Sequence, residues 1–148
     1  MDILELIKNK DPKYKRGEVL EELYWSPLGE ISNEDLKNTI GPYLMETTNA
    51  EDYIGVQKLY SNPEGAHIDF FEDIIISLYK KDPLTFIRAV NENPDEGMNV
   101  LYIFRNKGVF LNPEASKEEL LNITSDRQME EMINSFFRYY DNICSTWQ

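Results

Sequence analysis

Five of the seven prolines in this chain follow an Asp or an Asn: Asp11-Pro12, Asn62-Pro63, Asp82-Pro83, Asn93-Pro94 and Asn112-Pro113. A short polar side chain just before a helix accepts a hydrogen bond from a free N–H of the first turn. Proline directly after it loses nothing, because that N–H has no intrahelical partner. The same dipeptide also opens plain turns, so each one needs a helical pattern behind it. Acids follow quickly at Glu64, Asp95, Glu96 and Glu114, where the positive end of a helix dipole favours them. Serine boxes predict further starts, from Ser32 to Asp35, Ser116 to Glu119 and Ser125 to Gln128.

Hydrophobic periodicity supports helices behind most of these signals. From Ser125 onward, Met129, Met132, Ile133, Phe136, Phe137, Tyr140, Ile143 and Cys144 recur at three- and four-residue steps, with polar residues mostly opposite. Helices are also predicted over 64–81, 82–92 and 94–107, the last closed by Gly108 in a left-handed cap. The first half predicts helices over 2–8, 18–25, 33–39 and 50–60, broken by Pro27, Gly41 and Pro42. A strand reading competes at Ile74-Ile75-Ile76 and around 100–111, where Asn106-Lys107-Gly108 could turn a hairpin. The capping signals and the run lengths favour helix.

The expected fold is therefore all-α, with seven or eight short helices packed as αα-hairpins; an α+β fold with a short hairpin near 100–111 is the alternative. The starts at Asn62 and Asn93 lie 31 residues apart, and those at Asp82 and Asn112 lie 30 apart. That spacing suits stacked hairpins, as in a HEAT- or TPR-like superhelix, although no residue signature of a named repeat is present. A length of 148 residues suits one domain over 1–148.

Composition limits the function classes. The formal charge is −12, and ten bases against twenty-four acids put −14 on residues 17–148. Residues 1–16, a mildly basic helix and loop, carry a net +2 from Lys8, Lys10, Lys13, Lys15 and Arg16. Such a balance argues against nucleic-acid binding, which needs clustered cations. One cysteine leaves neither a disulfide framework nor a Cys-based zinc site. No run approaches about 18 apolar residues, so membrane insertion is not expected. The acidic start Met1-Asp2-Ile3-Leu4-Glu5 reads as cytoplasmic, though an exported chain that had lost a leader would read the same.

Few residues offer chemistry. There is one histidine, His67, and no phosphate loop, nucleophile elbow or calcium loop. His67 could join Glu64 or Asp69 in a carboxylate metal site, but a structural role is the simpler reading. Cys144 lies on the apolar stripe of the last helix and reads as packing. The pairs Glu21-Glu22, Glu72-Asp73, Glu118-Glu119 and Glu130-Glu131 read as solvated helix faces. No cofactor and no metal is expected. Core packing accounts for most aromatics, leaving Tyr24, Trp25, Tyr139 and Trp147 as candidates for partner contact.

These observations favour a non-enzymatic acidic domain that binds another protein, such as an inhibitor or immunity-type protein for a basic partner. A small hydrolase using carboxylates in an interhelical cleft is one alternative. An exported accessory or structural domain is another.

Overall fold

The Asx-Pro dipeptides divide into three that open helices and two that do not. A computed structural model describes residues 2–146, and all regular structure among them is helical, with no strand. No helix among these residues is long and apolar enough to cross a membrane. The chain resolves into two compact units, one up to Ser77 and one from Leu78 on.

The first unit begins with α1 (Ile3–Asn9), capped by Asp2, whose carboxylate accepts from Leu4 N at 2.9 Å. Asp11-Pro12 then forms a turn, with Asp11 accepting from Lys13 N at 2.9 Å and no helix following. Next come α2 (Arg16–Trp25) and a 3-10 turn at Leu28–Glu30. Ser32 caps α3 (Asn33–Asp35) as its box predicts, accepting from Asp35 N at 3.1 Å. Gly41 and Pro42 were expected to break this helix, but the chain stays helical through a π-turn (Leu36–Ile40) into α4 (Gly41–Met45). Gly41 N donates five residues back to Leu36 O. That wider register absorbs a proline whose missing N–H would interrupt an α-helix.

Asn49 caps α5 (Ala50–Gln57), which ends sooner than the predicted 50–60 and passes into a 3-10 turn at Leu59–Ser61. Helix α6 (Ile68–Lys81) starts four residues later than the expected 64. Gly65 at φ +62° and His67 at φ +55° hold the left-handed region, which a right-handed helix cannot contain. Asn62-Pro63 therefore opens a loop, and one anchor of the 31-residue repeat is lost. The core of this unit includes Leu20, Leu23, Leu28, Ile40, Leu44, Tyr53, Val56 and Leu59. Helices α2 and α5 pack closely because Gly55 has no side chain; a Cβ there would lie 3.0 Å from Leu20 Cδ1.

The second unit holds α7 (Pro83–Glu92), α8 (Pro94–Asn106), α9 (Pro113–Asn122) and α10 (Arg127–Ser145). Asp82 caps α7 through Thr85 N at 3.2 Å and accepts the Thr85 hydroxyl at 2.7 Å. Asn112 caps α9 through Ala115 N at 3.1 Å. Asn93-Pro94 opens α8 without a side-chain cap bond. Two serine boxes are corrected: Ser116 lies inside α9, and Asp126 rather than Ser125 caps α10, accepting from Gln128 N at 2.9 Å.

The hairpin alternative near 100–111 is overturned. Residues 100–106 belong to α8, which closes with two bonds, Val109 N to Phe104 O at 3.1 Å and Gly108 N to Arg105 O at 3.2 Å. Gly108 at φ +63° makes this left-handed closure possible. The turn sends Phe110 back onto a group of rings. Tyr79, Phe86, Phe104, Phe136, Phe137 and Tyr140 join it with centroids 5.1–6.2 Å apart. Helix α10 packs on α7 and α8 as well as on its neighbour α9. Stacked repeats touch only their neighbours, so this unit is a bundle closed by its last helix.

Two outcomes are expected. A Cβ on Gly97 would lie 2.7 Å from Val90 Cγ1 and 2.8 Å from Val90 O, where α7 meets α8. Gly97→Ala should lower stability by about 1–3 kcal/mol in urea unfolding, despite the better helix propensity of alanine. Burial pushes the Tyr140 phenol up to about 12, helped by its bond to Cys144, and burial also raises Tyr79. The unfolded chain therefore loses these protons first as pH rises, so stability should fall from about pH 10 upward. Tyrosinate absorbance at 295 nm in the folded protein should show a fraction that titrates late.

Candidate functional site

Two surface features bring together residues that could meet a partner, one in each unit. The first is the C-terminal turn of α2. Helical spacing sets Glu21 one turn before Trp25, and the indole Nε1 donates to Glu21 Oε1 at 2.9 Å. Lys58, at the end of α5, donates to the other oxygen of Glu21 at 2.7 Å. Its ammonium also lies 4.8 Å from the centre of the Tyr24 ring. Tyr24 meets Trp25 edge-to-face at 5.0 Å. Tyr24 is half-buried, whereas Trp25 is 65% exposed. The bonds from Lys58 and then Trp25 hold the Glu21 carboxyl below its usual pKa, so it is a carboxylate at neutral pH. The turn ends at Ser26, whose hydroxyl donates to Glu22 O at 2.6 Å, and at Pro27.

Charge is concentrated around this feature. Residues 17–77 carry two bases against thirteen acids, a net −11, while residues 78–148 carry eight bases against eleven acids, a net −3. Glu18, Glu21 and Glu22 all lie exposed on α2.

The second feature is a pocket of about 330 Å³ among α7, α8 and α10. Val90, Pro94, Met98, Leu101 and Phe136 supply its apolar lining, and Asn91, Asp95, Ser135 and Tyr139 its polar one. Tyr139 is 48% exposed. The amide nitrogen of Asn91 donates to Ile87 O at 2.9 Å and Met132 O at 3.2 Å, tying α7 to α10.

Of the four aromatic candidates, Tyr24 and Trp25 therefore share one feature and Tyr139 belongs to the other. Trp147 lies outside the described residues. His67 precedes α6 rather than lying in its first turn. Its Nε2 donates to Leu28 O at 2.9 Å, a geometry that fixes the proton on that nitrogen. Glu64 accepts from Gly29 N at 2.7 Å, so both residues fasten the 62–67 loop to the 3-10 turn before it. Among the described residues, no group of three or more His, Cys, Asp or Glu could hold a metal ion. Cys144 is half-buried beside Tyr140.

Sequence reading missed three participants. Lys58 lies 37 positions from Glu21, and no local spacing links them. Asp95 reads as an ordinary first-turn acid, and its place in the pocket depends on tertiary packing. Arg16, read as the end of a basic run, is part of the fold: it donates to Tyr43 O at 2.9 Å and Thr47 Oγ1 at 3.0 Å, and stacks over Tyr43 at 4.1 Å.

Comparison with protein families, with characterised proteins and with solved structures found no match for this chain.

Proposed function

We propose that this chain is a non-enzymatic interaction domain that docks a basic protein, in the manner of an inhibitor or immunity protein, through the end of α2. The observation that carries the reading is Trp25, a large ring 65% exposed and held in one orientation by its bond to Glu21. An oriented indole brings contact area at little entropic cost, and tryptophan is the residue type most often dominant in interface energetics.

The surroundings specify the kind of partner. Carboxylates next to a ring favour an approaching Arg or Lys, which gains both ion pairing and attraction to the ring face. Lys58 already engages Tyr24 and Glu21 in this way within the chain. The net −11 on residues 17–77 would draw a basic partner from a distance and speed encounter at low salt. The hydrolase alternative has less support, because the one imidazole and Glu64 are both engaged in holding a loop.

Immobilised full-length protein, incubated with extract of the source cell, should capture a basic protein that salt releases steeply. Trp25→Ala should weaken that capture by about tenfold or more, an ordinary effect for an interface anchor. Its melting should change little, because exposed substitutions usually fall within about 0.5 kcal/mol. Capture that is insensitive to salt, or equal with Trp25→Ala, would overturn the proposal.

A further inference from the structure

We infer that the pocket among α7, α8 and α10 is a binding site for a small organic cation with an apolar body, such as an arylalkylamine. The inference stands apart from the α2 reading, since it uses different residues in the other unit.

The pocket has the volume and polarity of a small-ligand site. At about 330 Å³ it lies near the lower end of the range for such sites, which suits a single ring with a short side chain. Val90, Leu101 and Phe136 are buried core residues that give it firm walls. Met98 is half-buried, and its unbranched thioether can adapt to the shape of a guest.

Its polar groups select the charge. Among the described residues, Asp95 is the only charged side chain in the lining, and no Lys or Arg contributes. Asn91 commits its amide nitrogen to Ile87 O and Met132 O, so the part of this side chain left to a guest is its oxygen, an acceptor. Ser135 and Tyr139 add hydroxyls, which accept as readily as they donate. Tyr139, 48% exposed, also brings an aromatic ring to the lining, a group that attracts cations. These side chains are rich in acceptors and include no cationic donor. An ammonium with three N–H groups complements it, whereas a carboxylate would meet Asp95 as a like charge.

The test is an amide NMR titration of the full-length protein with three probes of one shape, 2-phenylethylamine, 2-phenylethanol and phenylacetate. The amine should give saturable shifts at Asn91, Asp95, Met98 and Tyr139. The alcohol should bind about tenfold more weakly, and phenylacetate should not saturate. Asp95→Asn, at an exposed position where the amide keeps the shape, should lower amine affinity about fivefold or more and leave alcohol affinity unchanged. Equal binding of amine and alcohol would make the pocket a plain apolar cleft and overturn the inference. So would amine binding unaffected by Asp95→Asn, or amine shifts that spread over the acidic surface without saturating.

Discussion

A chain folded into many short helices must satisfy many helix ends. Each end leaves up to four N–H or C=O groups without an intrahelical partner, and a buried group left unpaired costs about 1–3 kcal/mol. The side chains of Asp2, Ser32, Asn49, Asp82, Asn112 and Asp126 each accept from a first-turn N–H. Arg16 meets the opposite need, donating to the Tyr43 carbonyl near the end of α4. Asn62 does most. It is only 4% exposed, and its amide serves four bonds, to Leu59 O, Ala66 O, Glu64 N and Ala66 N. With Glu64 and His67 it holds the loop that delivers the chain to α6.

This constraint changes how the acidity is read. Acids in first helical turns stabilise the helices that carry them, so the charge of −12 does not by itself imply a partner. The end of α2 differs, because Glu22 stands in the last turn of its helix, where the dipole disfavours it, and Glu21 lies just before it. Glu21 is compensated there by Lys58 and the Trp25 indole. An arrangement that opposes the local helix preference while exposing an indole is the better ground for a functional reading than net charge.

The helical class and much of the second unit were legible because their signals are local. Capping at Asp82 and Asn112, the αL closure at Gly108 and the buried stripe of α10 each depend on residues a few positions apart. The same local logic failed at Asp11 and Asn62, where Asx-Pro turned the chain and no helix followed. It failed again at Pro42, because a π-turn lets helix continue through a residue that ordinarily stops it. The candidate sites were legible only in part. Trp25 and Tyr139 stood out among the aromatics as candidates for partner contact, but Lys58 and Asp95 join them through tertiary packing that no spacing encodes. Phe110 has neighbours as distant in sequence as Tyr79 and Tyr140, and only the Gly108 turn hints that it folds inward.

The central claim is that polar side chains serving the backbone, the buried Asn62 above all, hold these short elements in place. Urea unfolding of full-length Asn62→Ala, followed by far-ultraviolet circular dichroism, tests it most directly. Ala66 O, Glu64 N and Ala66 N lose a partner, while Leu59 O keeps its bond from Asn62 N, and water can reach some of them through the exposed loop, so the account expects a loss of about 2 kcal/mol. A loss below about 0.5 kcal/mol, the range of ordinary surface substitutions, would contradict it.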